Sequence, residues 1–84
     1  MDERILVEVY VPAVGRCMEI VLPAQVELRI LHVYVSRLLE QVWDLEEHSL
    51  AFCCWYLKQQ DSMPDFGLCV KDAGICNGER IILL

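Results

Sequence analysis

Residues 4–11 alternate: Ile5, Val7, Val9 and Val11 fall on one face, Leu6, Glu8 and Tyr10 on the other. A period of two predicts a strand with one buried face. Pro12-Ala13-Val14-Gly15 supplies a turn, since Pro presets φ and Gly accepts positive φ. Residues 16–22 alternate again, with Met18, Ile20 and Leu22 opposing Cys17, Glu19 and Val21. Together these segments predict an N-terminal β-hairpin.

Beyond Pro23 the period changes. Leu28, Leu31, Val35, Leu38, Leu39 and Val42 recur at three- and four-residue steps, which predicts a helix from about Val26 to Trp43 laid on a core. Gln25 is a mediocre N-cap. The outward side is less ordinary, because Val26, Ile30, Val33, Arg37 and Gln41 share it, with Tyr34 on the flank. Such a row is either a docking stripe, for a partner helix or a second copy, or a chance cluster of β-branched residues near a packed loop.

Asp44-Leu45-Glu46-Glu47-His48 reads as a solvated acidic connector. The apolar run Leu50–Leu57 then predicts a central strand with both faces at least partly covered. Within it, Ala51, Cys53 and Trp55 are expected outward and Phe52 and Cys54 inward; a slip of one residue would swap them. Lys58 to Asp65 is a polar loop, and Phe66 to Val70 is expected to hold a short strand. Gly74, Asn77 and Gly78 mark turns, Asn77 and Gly78 as residues that tolerate positive φ, and Ile81 to Leu84 is a terminal strand. The element order, ββαββ with room for a fifth strand, predicts an α+β domain spanning 1–84, its helix packed on one face of a mixed sheet.

Composition adds a surface. Hydrophobic residues make up 56% of the 84, above the usual range of about 45–50%. A domain this small cannot bury all of them, and an exposed apolar patch marks a partner surface. Thirteen acidic against seven basic residues leave a net charge of −6. That field repels phosphate, so neither nucleic acid nor direct adsorption to anionic lipid is expected.

The five cysteines, at 17, 53, 54, 69 and 76, are odd in number. Cys53 and Cys54 would point to opposite faces of a strand, and no short-spaced Cys/His set suits zinc. Buried free thiols acting as small hydrophobes are expected, hence a reducing, cytoplasmic setting. The charged start Met1-Asp2-Glu3-Arg4 has no signal-peptide core behind it. No run approaches the roughly 20 apolar residues of a membrane span. A Cys–His pair using His32 or His48 lacks an orienting third residue, and no phosphate-binding glycine loop is present, so no catalytic, cofactor-binding or metal-binding residue is assigned.

The interval from Leu22 to Leu28, the Leu28/Leu31/Val35 spacing and the segment Val70-Lys71-Asp72-Ala73-Gly74-Ile75-Cys76-Asn77-Gly78-Glu79-Arg80-Ile81 resemble the ubiquitin-like β-grasp fold. More narrowly, that last segment is similar to the ending of the small ubiquitin-like proteins of bacterial type VII secretion loci, the YukD/EsaB type. The long apolar run around Cys53-Cys54-Trp55 departs from that group's more polar third strand. The resemblance implies a sheet with its first and last strands parallel at the centre. It also implies a cytoplasmic, non-enzymatic adaptor, held peripherally at the inner face of the membrane by docking on a membrane or ATPase subunit of a secretion machine. Ubiquitin and the sulfur carriers end in Gly-Gly, whereas this sequence ends Ile-Ile-Leu-Leu, so conjugation is not expected. A carrier or modifier that requires C-terminal processing is the alternative from another class, and a self-associating homodimer is a third.

The expected recognition face is the side of the sheet away from the helix, with Leu6, Glu8, Tyr10, Cys17, Glu19, Val21, Ile82 and Leu84. Its candidate anchors are Leu6, Tyr10, Val21, Trp55, Ile82 and Leu84. Val26, Ile30, Val33 and Tyr34 form the candidate second surface.

Overall fold

The computed structural model describes residues 3–84. It contains β1 (Arg4–Val11), β2 (Arg16–Pro23), α1 (Leu28–Val42), β3 (Trp55–Leu57) and β4 (Glu79–Leu83). β1 and β2 pair antiparallel, from Arg4 opposite Pro23 to Val11 opposite Arg16. Gly15, at φ 70°, closes their turn. β4 lies parallel to β1 and antiparallel to β3, giving the sheet order β2-β1-β4-β3. This is the β-grasp arrangement, with four strands and one helix.

The alternation along β1 and β2 is reproduced residue by residue. Ile5, Val7, Val9, Val11, Ile20 and Leu22 are buried and share one core with Leu28, Leu31, Val35 and Leu39 of the helix. Each fully buried aliphatic side chain contributes about 1.5–3 kcal/mol relative to exposure.

The helix begins two residues later than its periodicity suggests. Glu27 is its N-cap and makes no side-chain cap hydrogen bond. Loop carbonyls do the capping instead: the Leu28 and Arg29 amides donate to Leu68 O and Phe66 O, at 2.9 and 3.1 Å. Residues 66–70 therefore form no strand, and a single bridge joins Glu27 to Cys69. Val26, beneath this loop, is half-buried against the core rather than outward. At the other end the Leu45 amide donates to Glu40 O (2.8 Å) and the Asp44 amide to Gln41 O (3.4 Å). Asp44 sits at φ 53° in the left-handed position that usually takes glycine. That turn leaves Val42 exposed, where the periodicity places it inside.

The largest departure follows the helix. Of the run Leu50–Leu57 only Trp55–Leu57 is strand, and it lies at the edge of the sheet rather than at its centre. Residues 46–53 instead form successive tight turns, with the amides of Ser49, Ala51 and Cys53 donating to Glu46 O, His48 O and Leu50 O. A polar edge of α1 holds these turns. Buried Glu40 accepts the His48 amide on Oε1 (3.1 Å) and the Leu50 amide on Oε2 (3.0 Å). Ser36 Oγ donates to Leu50 O at 3.4 Å, and His32 Nε2 lies 2.8 Å from Ala51 O. These three residues stand four apart, so they fall along one edge of the helix.

Replacing Glu40 with Ala leaves two backbone donors without their acceptor, one buried at Leu50 and one part-buried at His48. At about 1–3 kcal/mol for each unsatisfied group, a stability loss of roughly 2–4 kcal/mol is expected in chemical denaturation. Glu40→Gln, which keeps one acceptor oxygen, should lose distinctly less. Equal losses, or a loss too small to measure for Glu40→Ala, would show that the turns hold without the carboxylate.

Candidate protein-binding surface

The helix covers one face of the sheet and leaves the other open. Strand register arranges the open face in rows. Leu6 stands opposite Val21, Glu8 lies between Glu19 and Arg80, and Tyr10 lies between Cys17 and Ile82, with Tyr56 next in line. Leu6 and Val21 are 42% and 48% exposed, while Tyr10 and Ile82 are half-buried among their neighbours. Leu84 continues the line of β4, its backbone exchanging hydrogen bonds with that of Cys54 at 2.8 and 2.9 Å.

Charge on this face is balanced across strands. Glu8 and Glu19 face each other directly, a repulsive pairing. Arg80, on the other side of Glu8, answers it. Its Nε lies 2.8 Å from Glu8 Oε1 but off the line a hydrogen bond requires, so the contact is ionic. The same guanidinium sits 5.1 Å from the centre of the Tyr10 ring, within cation–π range. The Tyr56 hydroxyl donates to the Asp61 carboxylate.

The terminal turn sets the edge of this face. Gly78, at φ 86°, donates its amide to Leu6 O at 2.8 Å. Asn77 has ordinary backbone geometry, so positive φ is not its role. Its Oδ1 accepts the Leu6 amide at 2.8 Å and extends the β1–β4 ladder beyond the strand. Gln59 completes the junction, accepting the Arg80 amide and donating to Gly78 O. Buried Glu79 accepts from the Gln59 amide and from Gln60 Nε2.

Five of the expected anchors, Leu6, Tyr10, Val21, Ile82 and Leu84, come together here. Trp55 does not. It is buried at 1% exposure, and its Nε1 donates to His32 Nδ1 at 2.9 Å. Phe66 packs edge-on against it with ring centres 5.6 Å apart. Residues 51–54 are inverted in the same sense, since Cys53 packs on the core, Cys54 is exposed and Phe52 is 95% exposed. The expected parity fails because β3 pairs Trp55 with Leu83 and Leu57 with Ile81, both facing the core, and His32 then offers the buried indole an acceptor. Ala51 is half-buried by its contact with that same ring. Arg80 and Tyr56 were missed as members of the face, although Arg80 shares the parity of Ile82.

Of the second candidate surface, Ile30, Val33 and Tyr34 are exposed on the helix and Val26 is not. His48 is exposed beside Glu47, and His32 has both ring nitrogens engaged. Among the described residues no helix is long and apolar enough to cross a membrane.

No family model matches the sequence, and no curated protein matches it. The fold has clear relatives among solved structures. The ubiquitin-like domain of tubulin-binding cofactor B superposes with a TM-score of 0.67 at 25% identity, covering 99% of this chain and 90% of that one. The ubiquitin-like domain of EccD5 from Mycobacterium xenopi gives 0.73 at 11% identity, covering 98% and 93%. That of the Mycobacterium tuberculosis type VII secretion system protein EccD1 gives 0.71 at 18% identity, covering 98% of both chains. The fold is thus ubiquitin-like.

The expected burial of the thiols is not met: Cys17, Cys54 and Cys76 are exposed and Cys53 and Cys69 only half-buried, because the turns and strand edges that carry them lie at the surface. Burial, then the neighbouring Cys54 and Glu40, push the Cys53 thiol above its ordinary value, so less thiolate is present at mildly alkaline pH. Exposed Cys17, Cys54 and Cys76 should therefore alkylate first and Cys53 after them. Peptide mapping of an iodoacetamide time course at about pH 8, below the usual thiol pKa, checks this. Early labelling of Cys53 would contradict the burial assignment.

Proposed function

We propose that this domain is a non-enzymatic, cytoplasmic protein-binding adaptor of the ubiquitin-like kind, acting as an accessory component of a bacterial type VII secretion machine. One observation carries the binding role: Leu6, Val21, Tyr10 and Ile82 gather on an unpartnered sheet face with the Glu8–Arg80 pair set among them. Apolar and aromatic anchors around a charged centre are what a protein interface uses.

The non-enzymatic reading is supported by where the buried polar groups are spent. The Glu40 oxygens hold backbone amides, those of Glu79 receive Gln59 and Gln60, and the His32 ring joins Trp55 to Ala51. Each of these groups is engaged within the fold. The secretion role rests on the Val70–Ile81 segment, with its likeness to the YukD/EsaB ending, and on the fold shared with the EccD ubiquitin-like domains. The natural partner on this reading is a membrane or ATPase subunit of the machine, which would hold the domain at the inner face of the membrane. Free thiols suit that reducing side.

The test is affinity purification from the native cell with the domain tagged. A secretion subunit should co-purify with the wild type and be lost with Leu6→Ser combined with Val21→Ser, exposed changes expected to leave the fold intact. A loss of roughly tenfold or more in affinity is expected, about 1.4 kcal/mol. Recovery of the domain alone, or a complex indifferent to both changes, would sink the assignment.

A further inference from the structure

The outer side of α1 is a second surface, on the far side of the molecule from the open sheet face. Ile30, Val33 and Tyr34 are 60%, 56% and 57% exposed. Their spacing of three and four residues sets them in one stripe with Arg37 and Gln41. Charge distinguishes this stripe from the rest of the domain. The whole chain carries −6, yet the exposed charges of α1 are Arg29 and Arg37, and its one acid, Glu40, is buried. Arg29 pairs with Glu27 at 3.4 Å, whereas Arg37 makes no ion pair among the described residues. A cleft of about 170 Å³, bordered by Val33, Arg37 and Ala51, opens beside the stripe. Three acids share a shallow groove with Arg37: Glu40, whose oxygens are held by the His48 and Leu50 amides, and Asp44 and Glu47 past the helix C-terminus.

We propose that this stripe docks an amphipathic helix of a partner protein, whose aliphatic anchors cover Ile30, Val33 and Tyr34 and whose carboxylate meets Arg37. Helix-on-helix docking suits a straight apolar row of this spacing. A second copy of the chain is a poorer occupant. An antiparallel two-fold pairing centred on Val33 and Tyr34 would set Arg37 against Ile30 of the copy. No exposed carboxylate of either helix would then answer Arg37. The proposal uses a different face from the adaptor reading, so the two can fail separately.

The test titrates the isotope-labelled domain with two synthetic helical peptides. Both carry Leu at helical spacing; one is flanked by Glu and the other by Lys. Bulk attraction to a chain of charge −6 favours the Lys peptide, so preference for Glu can come only from the local site. The Glu peptide should shift amide resonances of residues 29–41 and bind at least about tenfold more tightly than the Lys peptide. Arg37→Glu should reverse the preference, and Ile30→Ser should abolish binding while sheet resonances stay in place. Equal affinities, or shifts confined to the open sheet face, would overturn the proposal. So would sedimentation of the domain alone as a dimer that Ile30→Ser dissociates, which would assign the stripe to self-association.

Discussion

The carboxylate of Glu40 is the contact on which the second half of the fold depends. The chain leaves α1 and must cross to β3 through turns that cannot pair with the sheet. The Leu50 amide is buried and the His48 amide partly so, and a buried donor without a partner costs about 1–3 kcal/mol. A single side chain with two acceptor oxygens satisfies both. With the turns fixed, Ala51 O meets His32, and the His32 ring presents Nδ1 to the Trp55 indole. The ladder with β4 then fixes which side of β3 faces the open surface, and the His32 contact anchors its first residue.

On the other side, the same sheet is organised by its central parallel pair. β1 is bonded to β2 at one edge and to β4 at the other, so it has no free edge through most of its length. The open face is therefore rigid at its centre, where Glu8, Arg80 and Tyr10 meet, and its apolar residues lie along both flanks. A surface of this kind can bind without first ordering itself, which avoids part of the entropic cost of association.

Much of this was legible in the sequence, and where it was not the cause is identifiable. β1 and β2 bury one face each, so period two marks every inward residue from Ile5 to Leu22. The stripe from Leu28 to Leu39 is legible for the same reason at period 3.6. Leu50–Leu57 has no alternation to read, because apolar side chains there meet the core from turns as well as from a strand. The deciding signal lay elsewhere, in His32, Ser36 and Glu40 at four-residue steps. Polar residues on a helix ordinarily mark the solvated side, and only a neighbouring segment with unpaired backbone turns them inward. The open face was legible in Leu6, Val21 and Ile82, but not at Trp55, whose inward side follows from its pairing opposite buried Leu83, a register the unalternating run does not display.

The pairing of β1 with β4 joins Val7 to Glu79 and Tyr10 to Ile82, contacts between opposite ends of the chain. On the ribosome the N-terminal hairpin emerges first and must wait for nearly the whole domain before its second edge is covered. During that interval β1 presents unpaired amides and carbonyls beside Leu6, Val7 and Val9, a template for pairing with another nascent chain. Non-local pairing of this kind also slows folding. The arrangement that makes the finished surface rigid thus leaves a window during synthesis in which the domain is most exposed to misassembly.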